Sequence, residues 1–154
     1  MLFDPRKEKR ISFSEFKNWK ECAYRHKLIY LEKIPYFSGN EYTAFGTAIH
    51  TVCEKSIVNP KTDKFQIFVD SFSEELSKLR EADLEIDENL TGEMTEQAKM
   101  LCRAILPAID EHFHSYEVFS VEEMLMQPMN DIKSYDKKFK GFIDLVLKTD
   151  DGKY

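Results

Sequence analysis

His50 and Asp144 are the residues whose types and settings bear most directly on chemistry. A helix is predicted from about Tyr42 to Val58, turning by ~100° per residue. With Phe45 as origin, Tyr42, Phe45, Ile49, Val52 and Cys53 gather around roughly 50°, the expected buried direction, while Gly46 falls near 100°, His50 near 140° and Glu54 near 180°. His50 is thus expected on the shoulder of the apolar face, one turn after a glycine that leaves space and one turn before a carboxylate. Such a histidine is either a boundary residue hydrogen-bonded to Glu54 or a ligand whose neutral imidazole donates to a metal in a cleft. Asp144 lies mid-strand in Gly141-Phe142-Ile143-Asp144-Leu145-Val146-Leu147, where carboxylates are disfavoured. A charge there must be paired, solvated or metal-bound. Its face-mates Phe142 and Val146 argue against an ordinary solvated face, and Gly141 leaves room for a ligand or another backbone. Glu122 and Glu123 follow Val121 in a second strand, where a period of two puts them on opposite faces, so at most one points inward.

The elements that must position these residues follow from pattern and punctuation. Ser12-Phe13-Ser14-Glu15 reads as a capping box opening a helix to about Lys33, stopped by Pro35. Phe13, Phe16, Trp19, Ala23, Ile29 and Tyr30 supply its apolar positions. The loop Pro35–Asn40 leads to the His50 helix, which Asn59-Pro60 ends. A third helix is predicted behind Asp63 to about Arg80, buried through Phe65, Phe68, Val69, Phe72, Leu76 and Leu79. After an acidic loop, Glu81–Asn89, a fourth runs from about Thr91 to Tyr116 through Met94, Ala98, Leu101, Ile105, Ile109 and Phe113, with Pro107 expected to kink or split it. Strands follow at Val118–Met126 and Phe139–Lys148, the second carrying Ile143, Leu145 and Leu147 on one face. Asp150-Asp151-Gly152 is a hairpin turn signal. The fold class is α/β: one domain over residues 1–154, mainly helical to 116, packed on a small mixed sheet from 117 onward.

Composition narrows the partners. The 154 residues carry 22 Lys/Arg against 28 Asp/Glu, a net charge of −6, which excludes a protein basic overall that coats nucleic acid without specificity. The balance is uneven: residues 1–33 hold nine basic and five acidic side chains (+4), the remainder 13 and 23 (−10). A polyanion is therefore expected to approach the N-terminal helix, where Lys20, Arg25 and Lys27 are the candidate phosphate contacts, with Lys137, Lys138 and Lys140 as the alternative path. Trp19 and Tyr24 could stack on a base, but core packing is the expectation for both. The three cysteines, Cys22, Cys53 and Cys102, are widely spaced and read as reduced thiols of a cytoplasmic protein. No membrane span and no apolar leader is visible.

The order of these features resembles the RecB-like nucleases of the PD-(D/E)XK superfamily. Ser12-Phe13-Ser14-Glu15-Phe16 and Cys22-Ala23-Tyr24-Arg25-His26-Lys27-Leu28-Ile29-Tyr30 are similar to that family's N-terminal helix, with Ala23 where the family usually has proline. Gly46-Thr47-Ala48-Ile49-His50 resembles its Gly-x-x-hydrophobic-His motif, with Glu54 following as is usual. Val121-Glu122 resembles its hydrophobic-Glu segment, and Gly141-Phe142-Ile143-Asp144-Leu145 its Gly-x-Ile-Asp-hydrophobic motif. The family's Asp/Glu-x-Lys-Thr motif lies on the strand after the hairpin turn. Lys153 comes several residues too early and has no carboxylate two positions before it on that strand.

The resemblance implies a restriction-endonuclease-like core, incomplete at the C-terminus, and a metal-dependent DNA exonuclease module. It implies His50 and Asp144 as ligands of Mg2+ or Mn2+, with Glu122 and Asp144 catalytic. Hard cations favour carboxylate oxygens such as those of Asp144, to which the resemblance adds a His50 nitrogen, and a divalent ion serves phosphodiester hydrolysis by activating water and offsetting charge. DNA, as single strands or duplex ends, and a helicase or recombination partner are the implied partners. An iron–sulfur cluster is not expected, because Cys22 alone cannot hold one. The chain is expected to be a truncated form that cleaves poorly without the lysine. Two other readings stay open: a non-catalytic DNA-binding or protein-interaction module that keeps the fold, and a helical interaction domain in which His50 and Asp144 have no shared role.

Overall fold

The chain enters the structure, a computed structural model describing residues 10–34, 39–129 and 138–154, as a short strand, β1 (Arg10–Ser12), that hydrophobic periodicity does not reveal. Ser12 then caps α1 (Phe13–Glu21), its Oγ accepting from the Glu15 N–H at 3.1 Å. The reciprocal half of the predicted capping box is absent, because the Glu15 carboxylate turns instead to His26 Nε2 (3.2 Å). The long N-terminal helix expected to reach Lys33 is broken at Cys22, which is extended (φ −158°, ψ 103°). There the thiol accepts from the Arg25 N–H (3.4 Å) and opens a second short helix, α2 (Ala23–His26), continued by a π-helical turn, Lys27–Leu31. Ala23 stands at the first helical position, the one proline fits best. The break defeats the expected burial: no residue of α1 or α2 is buried, and Phe13, Phe16, Trp19 and Tyr24 are all exposed. Pro35, the predicted stop, lies outside the described residues.

Contacts divide the chain into two units. The first comprises residues 1–36 and 122–144, and so holds β1, α1, α2 and the outer parts of two strands introduced below. His26, stacked on Tyr30 at 5.3 Å and bonded to Glu15, ties the helical segments of this unit together across the Cys22 break.

The second unit holds the core. Asn40 and Thr43 form a reciprocal capping box that opens α3 (Glu41–Val58). Asp63 caps α4 (Lys64–Glu81) through the Gln66 N–H, and Asp87 caps α5 (Glu88–Phe113) through Asn89 and Leu90. The start of α5 lies three residues before the expected Thr91 because its cap was hidden inside an acidic run. Glu41 reaches across to accept the Asp87 N–H at 2.9 Å, and that bond holds its carboxyl below the usual range. α5 is not split at Pro107.

The core is built on Phe68, fully buried, with Phe45, Phe65 and Phe72 around it at ring-centroid distances of 5.6, 6.2 and 5.1 Å. Ala44, Ala48, Val52 and Ser56 form the buried line of α3, facing α4. This line centres near −40° on the wheel used above, about 90° from the expected direction. Small side chains let the neighbouring helix approach closely, which the aromatic positions cannot do. Tyr42 is accordingly exposed. On α5 the buried line is Thr91, Met94, Ala98 and Cys102, so Leu101 faces out and Cys102 takes its place. Val69 of α4 is likewise exposed.

Strands β2 (Tyr116–Pro128) and β3 (Lys138–Thr149) complete a mixed three-stranded sheet in the order β1-β3-β2. β1 runs parallel to β3, with Arg10, Ile11 and Ser12 opposite Lys138, Phe139 and Lys140. Helices with a small mixed sheet make this an α/β fold, as the pattern predicted. After β3 the Asp150-Asp151-Gly152 signal does form a turn: Gly152 takes φ 77°, its N–H donates to Thr149 O (2.8 Å), and the Thr149 N–H donates to Lys153 O (2.9 Å). No helix among the described residues is long and apolar enough to cross a membrane.

Candidate metal centre

α3 carries His50 on the side opposite its buried line, so the imidazole is exposed and the expected shoulder position is corrected by the rotation of the helix. One turn on, Glu54 Oε1 lies 2.8 Å from His50 Nε2. One turn before, Gly46 borders open space: a Cβ there would meet nothing within 4 Å. The same is true of Gly141 on β3.

Glu122 has a backbone that no sequence pattern announces. It lies inside β2, yet its φ is 52°, in the left-handed region. Residues with a Cβ are rarely held there, and such positions cluster where structure has been bent to a function. The conformation interrupts strand alternation, as a bulge does. Glu122 is half-buried, whereas Glu123 is exposed.

Asp144 on β3 is exposed. Phe142 and Ile143 beside it are exposed as well, so the expectation that apolar face-mates mark a covered face is corrected. Further along the strand Leu147 is buried.

His50, Glu122 and Asp144 each offer one ligand atom, and the three atoms lie within 4.8 Å of one another. One imidazole nitrogen with two carboxylate oxygens suits a divalent cation that accepts hard donors, and the spread is within reach of donors sharing an ion at ~2.0–2.5 Å. Glu123 is not part of the group.

The remaining predicted residues are not gathered in this way. Lys20 is exposed on α1, Arg25 on α2 pairs with Glu21, and Lys27 pairs with Glu32 at 3.2 Å. Lys138 and Lys140 lie on β3, the latter 4.4 Å from the Phe142 ring centroid, and Lys137 is outside the described residues. Asp151 and Lys153 pair with each other in the turn, and that bond holds the Asp151 carboxyl below its ordinary value. Burial pushes the Cys53 and Cys102 thiols up, away from the thiolate form that binds metals. A cavity of about 870 Å³ beside Lys64, Phe65, Lys99 and Arg103 includes none of His50, Glu122 or Asp144.

Two strand carboxylates and a helix histidine grouped together could hold the divalent ion that a metal-dependent nuclease uses. The family profile of the PD-(D/E)XK nuclease superfamily matches residues 10–154, and the chain belongs to that superfamily. No curated protein and no solved structure gives a significant match. Membership makes a nucleic acid the substrate class and a divalent metal ion the cofactor class, and the His-Glu-Asp group could bind such an ion.

Proposed function

We propose that this domain is a RecB-like DNA exonuclease module that works with Mg2+ or Mn2+ held by His50 and Asp144. The observation that carries this reading is the grouping of His50, Glu122 and Asp144 ligand atoms within 4.8 Å in a chain of this superfamily. When bound, the ion supplies charge neutralisation at the scissile phosphate and eases deprotonation of water. Glu54, 2.8 Å from His50 Nε2, fixes the plane of the imidazole. Glu122 accepts a hydrogen bond from the attacking water and takes its proton. Asp144 serves as a carboxylate ligand. Lys20, Arg25 and Lys27 contact the phosphate backbone, which positions the nucleic acid without reading its sequence. A helicase or recombination partner would deliver the strand. A non-catalytic binding module makes no use of the three grouped donors, so this second reading has nothing specific in its favour.

The test compares linear and covalently closed circular DNA, incubated with the intact natural protein and Mg2+ or Mn2+. Linear DNA should be degraded from its ends and circles spared, with EDTA stopping the reaction. Equal attack on circles would replace exonuclease by endonuclease, and inertness toward both with either metal would refute the catalytic reading.

A further inference from the structure

We infer that the exposed face of α1 is a stacking platform for single-stranded nucleic acid. The inference rests on the nucleic-acid reading above and adds which form of the substrate is held, and by which rings.

The aromatic residues of α1 and α2 stand in solvent: Phe13 is 63 % exposed, Phe16 45 %, Trp19 55 % and Tyr24 68 %. Phe16 and Trp19 form a pair, with ring centroids 6.1 Å apart. Cations are interleaved with them. At ~100° per residue, Lys17, Phe13, Lys20, Phe16 and Trp19 follow one another around roughly 160° of the helix, so each phenylalanine has a lysine one turn further along. Lys17 and Arg25 share a single carboxylate, Glu21, and the other acid of the helix, Glu15, is engaged with His26. Phe13, Lys17, Glu21 and Arg25 border a groove of about 450 Å³.

A helix face of rings and cations fits one ligand chemistry best. Every base has a π-face, and in a duplex those faces are occupied by neighbouring pairs. In a single strand they are free to stack on Trp or Phe while lysines follow the phosphates. The +4 balance of residues 1–33, against −10 for the rest, places the attraction for a polyanion on this segment. An apolar protein partner would be served by the rings but not by the interleaved lysines, whose desolvation it would have to offset. The bond from Glu15 to His26 and the stacking of His26 on Tyr30 hold the segments in a preformed arrangement, so little ordering is needed on binding.

Trp19 is the only tryptophan, so its fluorescence reports on the platform directly. The chain is titrated in EDTA with oligothymidylate and, separately, with a hairpin duplex of equal nucleotide number. The single strand should quench Trp19 saturably and bind about tenfold or more tighter than the duplex. By anisotropy of a labelled oligonucleotide, Trp19→Ala should weaken single-strand binding about tenfold while Trp19→Phe retains most of it, with unchanged melting curves showing that both variants fold. Binding without quenching, equal quenching by duplex, or an affinity indifferent to Trp19→Ala would overturn the platform. Loss of self-association on Trp19→Ala with oligonucleotide affinity unchanged would also overturn it, assigning the face to protein contact. Because no metal is present, a failed quench and a failed cleavage assay are separate results: Asp144→Asn should leave the quench intact.

Discussion

Asp144→Asn in the intact natural protein is expected to lower DNA cleavage by on the order of a thousandfold or more, with nucleic-acid affinity in EDTA held within about twofold. The size follows from what the charge does. A ligand carboxylate lost from a divalent site removes several kcal/mol of charge stabilisation, and each ~1.4 kcal/mol is tenfold in rate. The fold should not respond, because Asp144 is exposed on β3 and its amide replacement keeps shape and strand propensity. Surface substitutions of that kind stay within about 0.5 kcal/mol. Single-turnover cleavage of end-labelled DNA checks the first half and a gel-shift in EDTA the second. Cleavage by the variant within tenfold of the parent would show that Asp144 is not a ligand.

Phe68→Ala should act on the fold and not on the site, costing ~3–5 kcal/mol in urea unfolding. Phe68 is fully buried, and Phe45, Phe65 and Phe72 surround it, so truncation leaves a cavity bounded by rings from two helices. Against a typical total of ~5–15 kcal/mol, that loss would leave the helical core marginal or unfolded. Phe16→Ala makes the contrast. Its ring is exposed on α1, so stability should change by less than about 0.5 kcal/mol. Equal losses for the two would mean that the buried and exposed faces have been assigned wrongly.

Much of the helical architecture can be read from local signals, because caps and stops act over one turn. Asp63 and the run of α4 through Phe68, Phe72, Leu76 and Leu79 are visible as a cap and a period, and both are found. The order β2, β3 and the turn at Gly152 are likewise marked by alternation and punctuation. What escapes is decided by packing. α3 turns Ala44, Ala48, Val52 and Ser56 fully inward because small side chains let the neighbouring helix approach closely, with Phe45 packed at the edge of that line, and a hydrophobic wheel weights them the other way. The N-terminal helix breaks at a cysteine acting as a cap, a role that thiols rarely fill and that the periodicity of 13–30 conceals. Strand β1 is three residues long and gains its identity from pairing with β3, which lies more than a hundred residues away in sequence.

The site divides in the same manner. His50, Glu122 and Asp144 were legible as residue types in order along the chain. That their ligand atoms lie within 4.8 Å of one another is a fact of three dimensions. The left-handed backbone at Glu122 has no sequence signature, since glycine or asparagine marks such positions and a glutamate does not.

Titration of Mn2+ into the purified chain, followed by the loss of its free-ion electron paramagnetic resonance signal, tests the shared metal site most directly. One ion should bind the parent, and Glu54→Gln should weaken it about 10–100-fold by releasing the imidazole. The double variant His50→Ala, Asp144→Asn should bind none at the same concentrations while melting like the parent. Undiminished Mn2+ binding by the double variant would contradict the account, because the ion would then be held elsewhere.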